Sequence, residues 1–190
     1  AFARRAFRRP VDASEIARSV ALVESEREKG RTRAEALRAG YTALIASPRF
    51  YYLHEPASDR GALDSWAIAS RLSYFLWSSM PDERLFELAR ADRLGDPKVI
   101  EREVDRMLAD PKAASFTRRF TERWLRLDKL GAMPPERGGP FRIYWDRQME
   151  SQLVKQTDAF FAHLVETNGP IRNLIESDYT FLNERVANII

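Results

Sequence analysis

The stretch SRLSYFLWSSMPDERLF, Ser70–Phe86, decides how this chain is read. Leu72, Phe75 and Leu76 recur at helical spacing, and nothing in the run alternates with the period of two that a half-buried strand shows. The run then breaks at Met80-Pro81-Asp82, because proline has no amide hydrogen and keeps the residue before it out of helical geometry. Two helices meeting at a proline turn are therefore expected. The first should bury Leu72, Phe75 and Leu76 on one face, with Tyr74 and Trp77 covering the seam. The second is expected to take Pro81 into a first turn capped near Ser79 and Met80. Asp82 and Glu83 then stand at its positive end, and Leu85, Phe86, Leu88 and Ala89 face inward. Burial of each large side chain stabilises by about 1.5–3 kcal/mol, which is reason enough for the composition.

Outward from this junction the helix starts are legible. Asp12-Ala-Ser-Glu15 and Thr32-Arg-Ala-Glu35 both have the form of a capping box. Ile16, Val20 and Val23 follow the first until Gly30; Leu37, Tyr41, Leu44 and Ile45 follow the second until Ser47-Pro48. These two helices should pack antiparallel. Asp64 or Ser65 starts the helix that carries Trp66, Ile68 and Leu72. Asp96-Pro97 and Asp110-Pro111 are two further starts, leading to Ile100, Val104, Met107 and Leu108, then to Phe116, Phe120, Trp124 and Leu127. GAMPPERGGP, Gly131–Pro140, reads as a loop. A long helix over Asp146–Glu166 should follow, burying Met149, Leu153, Phe160, Phe161 and Leu164 and ending at Asn168-Gly169-Pro170. Asn183 can cap a last helix.

The fold class is accordingly all-α, an irregular bundle of about seven to nine helices without a sheet. Residues 1–58 are expected to form an N-terminal helical pair and 59–190 a larger helical domain, packed together as one unit. A chain of 190 residues with 44% apolar content buries about 70% of its unfolded surface, enough for one substantial domain or two small ones. No apolar run approaches the ~18 residues that would span a bilayer. No signal peptide is legible at the start. The opening at AFARRAF and the apolar end at Ile189-Ile190 suggest a piece of a longer protein, with Phe2, Phe7, Val186, Ile189 and Ile190 lining contacts to protein beyond it.

Several chemistries are excluded by supply. The sequence has no cysteine and two histidines, which removes disulfides, thiolate nucleophiles, iron–sulfur clusters, thiolate zinc and covalent haem through CxxCH. The positions three before His54 and His163 are Tyr51 and Phe160, so the Glu-x-x-His pattern of di-iron bundles is missing. Neither a metal nor any other cofactor is expected in this segment. Ser70, Ser73, Ser78 and Ser79 cluster without a nucleophile elbow, and Gly138-Gly139 is followed by Pro140 rather than by a phosphate-loop lysine. Paired carboxylates remain: Asp82 beside the break and Asp178 in ESDYTFLNE are the catalytic candidates, for acid/base work on a polysaccharide-like polymer with Trp77 or Trp145 as a stacking surface. Arg71 is a candidate partner of Asp82.

The net charge is +3, yet residues 1–40 hold ten basic against six acidic side chains and the rest of the chain sums to −1. The excess is local. Arg4, Arg5, Arg8 and Arg9 could form a phosphate-binding arm, but phenylalanines interleaved with arginine pairs equally fit a short helix with solvated guanidinium groups. The distribution argues against nucleic acid as the partner.

FARRAFRRPV, LIASPRFYYLHE, LDSWAIASRLSYFLWSSMPDERLFELA, VDRMLADPKAASFTRRFTERWLRLDKL and SDYTFLNERVA, in that order, cover nearly the whole chain. Together they resemble consecutive blocks of the large exported planctomycete-type cytochrome-c-associated proteins, in adjoining regions classified only as domains of unknown function. The resemblance implies a segment of a multidomain extracytoplasmic protein, periplasmic or at the cell surface, with a c-type haem module elsewhere in the polypeptide and electron transfer as its context. It implies a helical scaffold or protein–protein interaction module whose partners are other domains of the same polypeptide or an assembled complex. It supplies no catalytic residue.

Overall fold

In the computed structural model the described residues are 2–53, 55 and 61–188. Among them are eleven α-helices, seven of eight residues or more, and no strand. The fold is all-α, and the short helices α1, α4, α9 and α11 account for the excess over the expected number. No helix among the described residues is long and apolar enough to cross a membrane. The chain divides into two compact units, Ala1–Phe75 with Ser79–Arg102, and Leu76–Ser78 with Glu103–Ile190. The division falls inside α7, and the end of α5 goes with the second unit.

The first unit opens with α1 (Phe2–Phe7), α2 (Ala13–Glu28) and α3 (Arg33–Ile45). Both capping boxes form: Asp12 accepts the Glu15 amide at 2.9 Å while Glu15 accepts the Asp12 amide at 3.3 Å, and Thr32 and Glu35 repeat the exchange. The buried line of α3 is Ala36, Gly40 and Leu44, not the expected Leu37–Tyr41 stripe. Tyr41 and Ile45 are exposed, as is Val20 on α2. Close approach explains the shift. A Cβ added at Gly40 would run into Val23 Cγ2 and lie 3.2 Å from the Ser19 carbonyl, so only a residue without a side chain lets α2 and α3 come together here. Gly40→Ala should destabilise the unit by about 1–3 kcal/mol through overpacking, and Val23→Ala in the same chain should restore part of the loss. Urea denaturation of both variants checks this; an additive double variant contradicts it.

Ala6, Phe7 and Leu44 form a buried cluster, joined by Ala3, Val11, Ile16 and Phe50. Helix α4 (Pro48–Tyr51) follows, with Ser47 accepting the Arg49 amide. Helix α5 (Ser65–Trp77) is started by Asp64, which accepts the Ala67 amide at 2.7 Å. Its buried positions within this unit are Ser65, Ala67, Ala69, Ser70 and Ser73, and Phe75 is 60% exposed, against the expected Leu72–Phe75 face. The Ser73 hydroxyl is satisfied by donating to the Ser79 carbonyl at 2.8 Å. Ser78 turns the chain with φ of 52°. Helix α6 (Glu83–Arg90) is capped by Asp82, whose carboxylate accepts the Leu85 amide at 2.9 Å. Pro81 therefore lies outside the helix, buried just before its cap, and not in a first turn capped by Ser79 or Met80. Leu85, Phe86 and Ala89 face inward as expected.

Helix α7 (Pro97–Leu108) starts at Asp96, which accepts the Lys98 amide. Val99, Glu103 and Met107 are buried, while Ile100, Val104 and Leu108 are only partly so. The expected face is thus rotated by one residue. In the second unit α8 (Ala114–Trp124) lies against α10 (Met149–Glu166). Phe120 stacks on Phe161 with ring centroids 4.9 Å apart, and the fully buried Thr121 hydroxyl meets Asp158 at 2.7 Å. Trp124, expected on the inner face, is half exposed.

The expected helix over 146–166 is two: α9 (Arg142–Asp146) ends, Gln148 takes a left-handed φ of 52°, and α10 begins. Gln152 is buried in place of Met149 and Leu153 because its carboxamide oxygen accepts from Asn183 at 2.7 Å. Phe160 is only half-buried, beside Tyr179 and Phe181. α10 ends in a Schellman arrangement, Asn168 at φ of 48° with the Gly169 amide on the Leu164 carbonyl at 2.8 Å. Asn183 caps α11 (Glu184–Ala187) by accepting the Val186 amide.

Candidate functional site

The two catalytic candidates are placed in different units. Asp82 is the α6 cap, a sufficient role for an acid in that position. Asp178 is exposed in the segment before α11. Arg71 does not meet Asp82; it grips Glu55 through two bonds of 2.6 and 2.7 Å on the surface.

Neither tryptophan offers a bare stacking face. Trp77 is 3% exposed, and its indole N–H donates to the Met107 carbonyl at 2.9 Å. The Lys112 ammonium and the Arg106 guanidinium lie 4.5 and 5.3 Å from its ring centre. Trp145 carries the Arg137 guanidinium 4.6 Å over its ring, and its indole nitrogen is buried without an acceptor. His163 sits edge-on to Tyr179 and near Phe181, while His54 lies outside the described residues. Among the described residues no three His, Asp or Glu side chains converge as a metal site. A cleft of about 590 Å³ in the second unit includes Asp105, Asp110 and Glu166 in its wall. Asp110 is already spent on the Lys112 amide at the start of the turn before α8.

Arg4, Arg8 and Arg9 are used by the fold itself. Arg4 pairs with Glu83 at 3.5 Å. Arg9 forks onto Glu15 at 2.6 and 3.0 Å, and Arg49 reaches the same carboxylate at 2.9 Å. These cations, the Arg9 hydrogen bond foremost, hold the Glu15 carboxyl down to about 2. Since that carboxylate is favoured in the folded state, its contribution to stability is complete above the ordinary value of 4.5 and is lost as pH falls toward 2. Glu15→Gln should flatten the acid limb of a stability–pH curve over that window, measured by urea midpoints; an unchanged slope contradicts it.

Arg8 is the residue that sequence reasoning did not single out. It is 5% exposed with a left-handed φ of 57°. Its guanidinium donates to the carbonyls of Ala6 (3.0 Å), Arg49 (3.3 Å), Phe50 (3.0 Å) and Tyr52 (3.1 Å), and to the Tyr74 hydroxyl oxygen (3.5 Å). Local sequence carries no signal for this, because the acceptors lie more than forty positions away, apart from Ala6. Tyr51, Tyr52 and Tyr74, carried by the elements these bonds join, are exposed. A buried guanidinium needs acceptors for its donors, and here it takes them from α1, from the end of α4 and from α5, tying the three together.

The five of the phrases that carried the resemblance correspond to two adjoining family matches. The model described as PSD4, protein of unknown function (DUF1592), matches residues 63–189. The chain belongs to the DUF1592 family. Residues 1–55 match a second model, PSD5, protein of unknown function (DUF1595). Comparison with curated proteins and with solved structures gives no match. The Arg8 network draws on both regions: Arg8, Arg49, Phe50 and Tyr52 lie in the DUF1595 match and Tyr74 in the DUF1592 match. The first compact unit thus contains the whole DUF1595 region and the beginning of the DUF1592 region.

Of the residues expected to line outside contacts, Phe7 and Val186 are instead buried within the chain at 4% and 2% exposure. Phe2 is exposed beside Tyr41, and Ile189 and Ile190 lie outside the described residues.

Proposed function

We propose that the chain is a helical scaffold and interaction module of a larger exported, cytochrome-c-associated redox protein, without a catalytic site of its own. The observation that carries this reading is how its polar groups are spent. Asp82 caps a helix, Trp77 closes the end of another, and Arg4, Arg8 and Arg9 bind internal acceptors. Among the side chains the first unit exposes are Tyr51, Tyr52 and Tyr74, of the residue type in which protein interfaces are rich. The adjoining DUF1595 and DUF1592 matches and the block-by-block resemblance support the multidomain, extracytoplasmic context; haem then belongs to another domain.

The purified chain should give a strongly helical far-ultraviolet spectrum and no Soret band. In the natural polypeptide, deleting this region should leave haem attachment intact and abolish assembly with neighbouring domains or proteins. Stoichiometric haem bound by the chain through His54 or His163 overturns the reading. So does polysaccharide cleavage that disappears in Asp82→Asn and Asp178→Asn.

A further inference from the structure

We infer that Met133 is a reversible oxidation site: its thioether takes an oxygen atom from a peroxide and carries it at the surface as the sulfoxide, with the fold left as stable as before. The chain has no cysteine, so its four methionines hold all of its sulfur, and sulfur oxidation here is thioether oxidation alone. The structure ranks the four. Met133 is 95% exposed, Met107 is fully buried, and Met80 and Met149 are partly buried.

Met133 stands in Gly131–Gly138, a stretch with neither helix nor strand. What anchors this stretch comes from its neighbours. The Ala132 amide donates to the Lys129 carbonyl at 3.0 Å, the Gly138 amide donates to the Glu136 carbonyl at 3.0 Å, and the Arg137 guanidinium lies over the Trp145 ring. The Met133 side chain reaches into water instead, so an oxidant meets no packed wall and the new S–O dipole stays hydrated. At Met107 the situation is reversed. Its sulfur is reached only when the end of α7 opens, the same end whose carbonyl accepts the Trp77 indole N–H, and a sulfoxide there would put a strong dipole into an apolar interior.

The step balances. A lone pair of the Met133 sulfur attacks one oxygen of hydrogen peroxide, and the O–O bond breaks as the S–O bond forms. The departing hydroxide takes the proton of the transferred oxygen and leaves as water; the sulfur is oxidised and the peroxide reduced. An apolar tip becomes polar and chiral. Methionine sulfoxide reductases reverse the change with thiols, which leave as a disulfide while the oxygen leaves as water.

The test exposes the chain to millimolar hydrogen peroxide and follows added oxygen over time by peptide mass spectrometry. The peptide carrying Met133 should gain one oxygen first, about tenfold or more faster than the peptide carrying Met107, which reacts only through local opening. Met133→Leu should remove the fast phase and leave the slower ones unchanged, whereas Met107→Leu should keep it. The singly oxidised chain should unfold at the parent's urea midpoint, and reductases of both epimer specificities with dithiothreitol should remove the oxygen. A first oxygen on Met80, Met107 or Met149, a common rate for all the methionines, a lowered urea midpoint after single oxidation, or a Met133 sulfoxide that the reductases leave in place overturns the proposal.

Discussion

Replacing Arg8 with alanine is expected to destabilise the chain by about 3 kcal/mol or more, the largest loss of any single polar substitution considered. Four main-chain carbonyls and one tyrosine oxygen lose their donor at once. Each buried carbonyl left without a partner costs about 1–3 kcal/mol, offset where water can enter. Nor does the left-handed backbone at residue 8 favour alanine over arginine. Lysine keeps the charge but not the planar fork, and its single ammonium cannot span acceptors that come from α1, the end of α4 and α5. Arg8→Lys should therefore recover little. Urea denaturation supplies the energies, and the ring resonances of Tyr52 and Tyr74 should broaden in both variants before global unfolding. A loss below about 1 kcal/mol, within the range of one ordinary hydrogen bond, would show that the guanidinium is dispensable.

Trp77→Ala should cost about 3–5 kcal/mol, the usual range for removing a buried large aromatic side chain. The ring is 3% exposed, and it stands between the end of α7 and the start of the next turn. Trp77→Phe separates the contributions. It keeps most of the apolar volume and loses the indole donor to the Met107 carbonyl, about 1 kcal/mol. It also weakens the attraction of Lys112 and Arg106 to the ring, about 0.5–1 kcal/mol for each exposed cation. The near-ultraviolet circular dichroism of the second unit should lose intensity in both variants. Equal losses for alanine and phenylalanine would mean that the N–H bond, not the packing, holds this junction.

Both residues act through partners that no local pattern reveals. The motif FARRAFRRPV shows four arginines of the same type, and only the fold separates the buried Arg8 from Arg4 and Arg9 in partly exposed ion pairs. Trp77 was legible as buried, since it ends an apolar helix, but its donor bond required the end of α7 to arrive beside it. Phe75 shows the converse: by spacing it belongs with Leu72 and Leu76, yet it is 60% exposed while Ala69 and Ser73 are fully buried. Glu103 would be assigned to solvent by its type, yet it is 1% exposed with Arg106 at 2.7 Å.

The sequence by itself determined the class of the fold, the positions where most helices begin, and the absence of cysteine chemistry. Capping explains why: the side chains of Asp12, Thr32, Asp64, Asp96 and Asn183 meet amides two or three residues on. A contact of that range is written in the local order of residues. Only the tertiary structure decided which face of each helix is buried, where the compact units divide, and that Arg8 gathers acceptors from two family regions. Burial depends on which helix arrives and how closely, and Gly40 lets α2 come near enough to α3 that Ala36 and Leu44 are buried while Tyr41 stays exposed. Helical periodicity records that a face exists; the closest approach between helices chooses it.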